Sequence, residues 1–167
     1  MWLFLRIVHI ITGVFWAGTL FFIVSYLMPT FREVGPDGAK VMGALRRRGM
    51  FNAVPTIATI SILSGLWLYM IRMGGGSDWA RTREAMALGT GAITAVLAVA
   101  IGWFGMRANI FKAADLAAAA AGMPAGAERD AALAQAQAVR GKAMMAGRMV
   151  ATLLLITVVT MAIARYI

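Results

Sequence analysis

His9 is the only imidazole among 167 residues, and the chain has no cysteine. These counts exclude disulfides, iron–sulfur clusters and thiolate metal sites. They also exclude a multi-histidine zinc or copper centre built by one chain. His9 lies in Ile7–Phe31, a run of 25 residues without a charged side chain. An ionisable residue in such a run usually faces the protein interior and marks a functional site by default. Gly13 stands one helical turn on and leaves open space on the same face; Trp16 stands two turns on. A neutral imidazole in a glycine-made cleft flanked by aromatics suits three roles. It can be an axial ligand to haem iron, a hydrogen-bond donor to a quinone, or a proton relay. The plainer alternative is an interhelical hydrogen bond, to Thr90 or Thr160.

Other chemistry is sparse. The carboxylates are Glu33, Asp37, Asp78, Glu84, Asp115, Glu128 and Asp130, all in loops or at helix ends. A carboxylate-driven ion transporter needs one inside a span. There is no P-loop, serine elbow, metalloprotease helix or dinucleotide fingerprint. No catalytic residue is identified. Met70, Met86 and Met161 fall at the expected level of His9 and are candidates for a sixth iron ligand, a Met–His arrangement that raises the potential. The alternative for each is packing filler.

The elements that must carry these residues are membrane spans. Hydrophobic residues make up 61% of the chain and charged ones 14%, with mean hydropathy +0.78. A soluble domain has roughly 25% charged residues. Besides Ile7–Phe31, the charge-free runs are Gly49–Ile71, Ala85–Met106 and the shorter Met149–Ala164. Crossing the hydrocarbon takes about 20 helical residues, and Arg148 and Arg165 can snorkel beyond the short run. The fold class expected is all-α: one transmembrane domain over 1–167, an antiparallel four-helix bundle with spans near 4–29, 50–71, 85–107 and 148–166. The first run is longer than a signal-peptide core and no A-x-A site follows it, so a retained helix is expected.

The net charge of +9 sits between the apolar runs, as basic loops beside anionic lipid rather than as a nucleic-acid surface. Arg32, Lys40, Arg46, Arg47 and Arg48 lie between runs one and two. Arg107, Lys112, Arg129, Arg140, Lys142 and Arg148 lie between runs three and four. The other side holds Arg6, Arg72, Arg81, Arg83 and Arg165. The positive-inside rule then puts loops 32–48 and 107–148 in the cytoplasm and both termini in the periplasm of a bacterial inner membrane. Helix-favouring residues run from Met86 to Ala121, break at Gly122–Gly126, and resume at Glu128. A helix over Met86–Ala121 is about 54 Å long, which overshoots a bilayer. Helices three and four are therefore expected to project as a cytoplasmic hairpin over about 108–147. A short amphipathic helix is expected over Asp37–Arg48, a turn at Gly74–Ser77 with Trp79 as an interface anchor, and Pro55 in the first turn after Asn52.

Small residues line each span: Ala87, Gly91, Ala95, Ala98, Gly102 and Gly105; His9, Gly13 and Ala17; Ala58, Ser61 and Gly65; Thr157, Thr160 and Ala164. Such faces let membrane helices approach closely.

His9 and Trp16–Phe21 form the pattern H-x6-W-x-G-x-L-F. This resembles the first helix of the CopD-like superfamily of small four- to eight-helix membrane proteins, which includes copper-resistance proteins and the HemJ-type protoporphyrinogen oxidases. A basic residue ahead of Phe51, and Ser64-Gly65 where the group often has Thr-Gly, are similar too. Trp79-x3-Arg83 looks like the W-x3-K of the HemJ branch, with arginine in place of a lysine. A guanidinium stays protonated and cannot do that lysine's acid–base work. The resemblance implies a four-helix bundle and haem b on His9. One histidine allows bis-histidine haem only between two chains.

The leading functional expectation is a CopD-like membrane protein that binds haem b for membrane redox chemistry or electron transfer. The site residues would be His9, Gly13, Trp16, Met70 and Met161. The alternatives are a non-catalytic subunit of a larger respiratory or photosynthetic complex, and a metal or small-solute permease. The expected partners are the lipid bilayer and a homodimer or larger membrane complex, met through helix faces and the hairpin, with no nucleic acid.

Overall fold

A computed structural model describes residues 1–74 and 78–167, apart from the side chains of Arg32 and Pro36. All regular structure among these residues is helical. We label the helices α1 (Trp2–Phe31), α2 (Pro36–Arg47), α3 (Met50–Met73), α4 (Arg83–Ala121) and α5 (Ala127–Tyr166). The first and the last three of these are long and apolar enough to cross a membrane. The helix expected over Asp37–Arg48 is α2, shifted by one residue at each end. The long helix expected from Met86 to Ala121 is the greater part of α4, and the break at Gly122–Gly126 separates it from α5. Of the expected turn at Gly74–Ser77, residues 75–77 lie outside the described residues.

Local chemistry sets the helix ends. Gly49 has φ 78°, a left-handed conformation that costs glycine little, and it separates α2 from α3. Thr82 caps α4 by accepting from the Ala85 amide at 3.2 Å. Glu84 accepts from Arg72 Nη1 at 2.7 Å and Trp79 Nε1 at 3.1 Å, tying α3 to the start of α4. Trp79 also meets Tyr69 edge to face.

Two helices are not uniformly α. Both α1, over Ile23–Leu27, and α4, over Ile101–Arg107, widen into π-type turns. Such a turn replaces the i+4 ladder by i+5 bonds and inserts an extra residue. Asn109 Nδ2 donates to the Gly105 carbonyl at 2.6 Å within this region.

α1 packs chiefly on α3, and α4 on α5. The small-residue stripe of α4 is the α4–α5 seam. Gly91 lies against Thr160 and Met161, Gly102 towards Val150, and Gly105 against the Ala146 methyl. A β-carbon at Gly91 would lie 2.9 Å from Thr160 Oγ1, and one at Gly105 3.1 Å from Ala146 Cβ, so glycine is what permits the approach. Thr94 and Thr157 bridge the seam with a 2.8 Å hydroxyl–hydroxyl bond. The two helix pairs meet at a core of Trp16, Leu20, Ile23, Ala58, Ala98, Val150 and Leu154. The outer surfaces carry Phe4, Ile11, Val14 and Phe104 largely exposed. That pattern suits helices whose solvent is hydrocarbon. Most threonine hydroxyls donate back to the carbonyl four residues earlier, which satisfies them without water.

Pro55 departs from expectation. It is the sixth residue of α3, past the first turn, where a missing amide leaves a carbonyl unpaired. That carbonyl belongs to Phe51.

Candidate functional site

His9 sits about 10 Å along α1, at ~1.5 Å per residue, and is half-buried against α3. Its Nδ1 lies 2.8 Å from the Ser61 carbonyl oxygen. A carbonyl only accepts, so Nδ1 carries a proton; in the neutral ring Nε2 is then the nitrogen with the lone pair. The partner is thus a backbone group of α3, not the Thr90 or Thr160 hydroxyl. Those two hydroxyls donate to carbonyls of their own helices.

The ring is seated on Gly65. A β-carbon there would lie 2.6 Å from His9 Cε1 and 2.9 Å from Nδ1, but 3.4 Å from Nε2. The Cε1–Nδ1 edge therefore faces the glycine, and Nε2 is the ring nitrogen further from it. Among the described residues nothing donates to Nε2.

Gly13 does not provide the open space expected of it. Ser61 Oγ fills it, 3.3 Å from where a β-carbon would be. The glycine that makes room for the imidazole is Gly65, on the facing helix. Trp16 is buried in the core at 5% exposure, below the His9 level. Met70 is 61% exposed and stands about 140° around α3 from Gly65, at ~100° per residue. Met86 is also exposed, and Met161 packs on Gly91 in the α4–α5 seam. Arg83 is exposed at the start of α4. Among the described residues no three His, Cys, Asp or Glu side chains converge on a metal position.

A second constellation lies at the other end of α3, and the sequence reading did not single it out. Arg107 Nε donates to the Phe51 carbonyl at 3.2 Å, and Nη2 donates to Asn52 Oδ1 at 3.0 Å. Its guanidinium lies 4.8 Å from the Trp103 ring centroid and 4.6 Å from that of Phe111. Phe111 in turn meets Phe51 edge to face, and Arg46 stacks over it at 4.5 Å. Beside Arg107 opens a cleft lined by residues of α1, α3 and α4, with Val150 of α5 among them. The signal that could have found this cluster is a proline placed past the first turn of a helix, which frees the carbonyl four residues earlier.

No family model, curated protein or solved structure matches the chain.

Proposed function

We propose that this chain is a CopD-like integral membrane protein that holds haem b through His9 Nε2 and serves membrane redox chemistry or electron transfer. The observation that carries this reading is the 2.8 Å bond from Nδ1 to the Ser61 carbonyl. Axial histidines need one nitrogen protonated and anchored and the other deprotonated, and a backbone carbonyl is a common anchor. The donor set fits one axial imidazole per chain, because Met70 and Met161 lie on other faces. When bound, haem supplies one-electron chemistry. The protein's part is to fix the tautomer with Ser61 and the ring orientation with Gly65. In the same reading the four long helices form an antiparallel bundle in a bacterial inner membrane. Both termini are periplasmic, and residues 108–147 form a cytoplasmic hairpin.

The test is an absorption spectrum of detergent-purified protein, oxidised and then reduced with dithionite. The expected result is a Soret band that shifts on reduction and is absent from a folded His9→Ala variant. A featureless spectrum after expression with ample haem overturns the reading.

A second reading, a non-catalytic subunit of a larger membrane complex, is favoured by the arm after Arg107. There Ala108–Ala121 packs on α5 and leaves its other side uncovered. It predicts a colourless chain that co-purifies with defined partners in mild detergent.

A further inference from the structure

We propose that the cleft between α1, α3 and α4 binds an anionic phospholipid, with an acyl chain in the cleft and the phosphate at Arg107. This inference is independent of haem at His9. The cleft walls include Trp16 and Leu20 from α1, Val54 and Pro55 from α3, and Gly102 and Trp103 from α4. Among the described residues Arg107 is the one charged residue that lines it. The space is held open by what the sequence omits. A β-carbon at Gly102 would meet only Val150, at 3.9 Å, so nothing but the missing side chain keeps that wall back.

The charge at the mouth lacks a counterion. Two of the Arg107 nitrogens are bound to neutral acceptors, and among the described residues no carboxylate lies within ion-pair distance of it. Arg46 and Arg107 both stack on Phe111, which puts the two guanidinium carbons no more than about 9 Å apart. Among the described residues only Asp115 opposes them, 3.7 Å from Arg46 on an exposed side chain. Two cations this close, beside a hydrocarbon-lined cleft in a chain of four membrane-length helices, are complementary to a phosphate that carries acyl chains. A free phosphate would satisfy the arginines but leave the cleft without an occupant.

Native mass spectrometry of the full chain in detergent tests this, with dioleoyl phosphatidylglycerol against dioleoyl phosphatidylcholine. Each arginine near a headgroup is worth about fivefold, so phosphatidylglycerol should be retained at least about fivefold better. Arg107→Gln, which keeps an N–H for the Phe51 carbonyl, should abolish most of that preference. Arg81→Gln, in the turn that leads from the far end of α3 into α4, should keep it. Gly102→Leu and Val54→Trp, which fill the cleft from two sides, should lower retention of both lipids. Equal retention of the two lipids by the unmodified chain overturns the headgroup assignment. Full retention in both cleft-filling variants overturns the cleft. Displacement of bound phosphatidylglycerol by millimolar inorganic phosphate would mean an anion site without a lipid, and overturns the proposal. The unmodified chain decides the first question even if a variant fails to fold.

Discussion

Arg107 Nε donates to the Phe51 carbonyl, 56 residues away, and Pro55 is the reason that carbonyl is free. A helix proline removes the amide that would have bonded four residues back. A guanidinium from the neighbouring helix replaces it, so an apparent flaw in α3 becomes a tie to α4.

The tie predicts a coupling. Arg107→Ala should destabilise the detergent-solubilised protein by about 2 kcal/mol, the loss of a hydrogen bond from a charged group. In a Pro55→Ala background the helix recovers its own amide, and the same change should cost roughly half as much. Thermal unfolding of the four proteins measures this. Strictly additive losses would mean that proline and arginine are unconnected.

Gly65→Ala should displace the imidazole, since its methyl would lie 2.6 Å from His9 Cε1. We expect a loss of about 1–3 kcal/mol, the usual range for overpacking. Most of it should be recovered in Gly65→Ala with His9→Ala. Gly18→Ala, with nothing within 4 Å, should be neutral or stabilising. If Gly65→Ala proves as benign as Gly18→Ala in unfolding assays, the ring does not sit on Gly65.

Ser61→Ala should leave the histidine in place, because the acceptor is the backbone carbonyl. The Ser61 hydroxyl reaches only the His9 carbonyl, at a long 3.5 Å. The expected change is under about 0.5 kcal/mol. The His9 Nδ1–H resonance should persist in the variant, and its disappearance would assign the bond to the side chain instead.

Thr157→Val removes the hydroxyl that bridges to Thr94 at 2.8 Å. Interhelical hydrogen bonds in membrane proteins average about 0.6 kcal/mol and reach about 1.7. We expect a loss in that range. Thr152→Val, whose hydroxyl bonds only within its own helix, should cost less. Equal costs would show that the bridge adds nothing beyond local bonding.

Glu84→Gln should cost no more than about 1 kcal/mol, because Arg72 is 45% exposed and its ion pair is screened. The cost should shrink in high salt. A large, salt-independent loss would instead assign the weight to the Trp79 hydrogen bond.

The helices were legible because charge-free runs report length and apolarity directly, and alanine–glycine stripes report the faces on which helices approach one another. Gly91, Ala95 and Ala98 lie in the seam expected of them. The surroundings of His9 were less legible. Its acceptor is a main-chain oxygen, which leaves no mark in side-chain identity. Its room comes from Gly65 on another helix, while Ser61 Oγ occupies the space beside the nearer Gly13. Pro55 was visible, but its partner Arg107 lies on a different helix and at the edge of a charge-free run, where an arginine reads as an anchor.

The widened turn in α4 also sets phase. Gly91, Ala98 and Gly105 repeat every seven residues along the face towards α5, and so do the buried Met106, Ala113 and Ala120. The two series are offset by one residue, and the offset falls within Ile101–Arg107. A chain one residue shorter there would carry an unbroken heptad from end to end. It would also lose the turn that swings Arg107 towards Phe51. The extra residue thus works as a vernier: it lets one face of α4 stay zipped to α5 over its whole length while a single side chain is dialled round to the other neighbour.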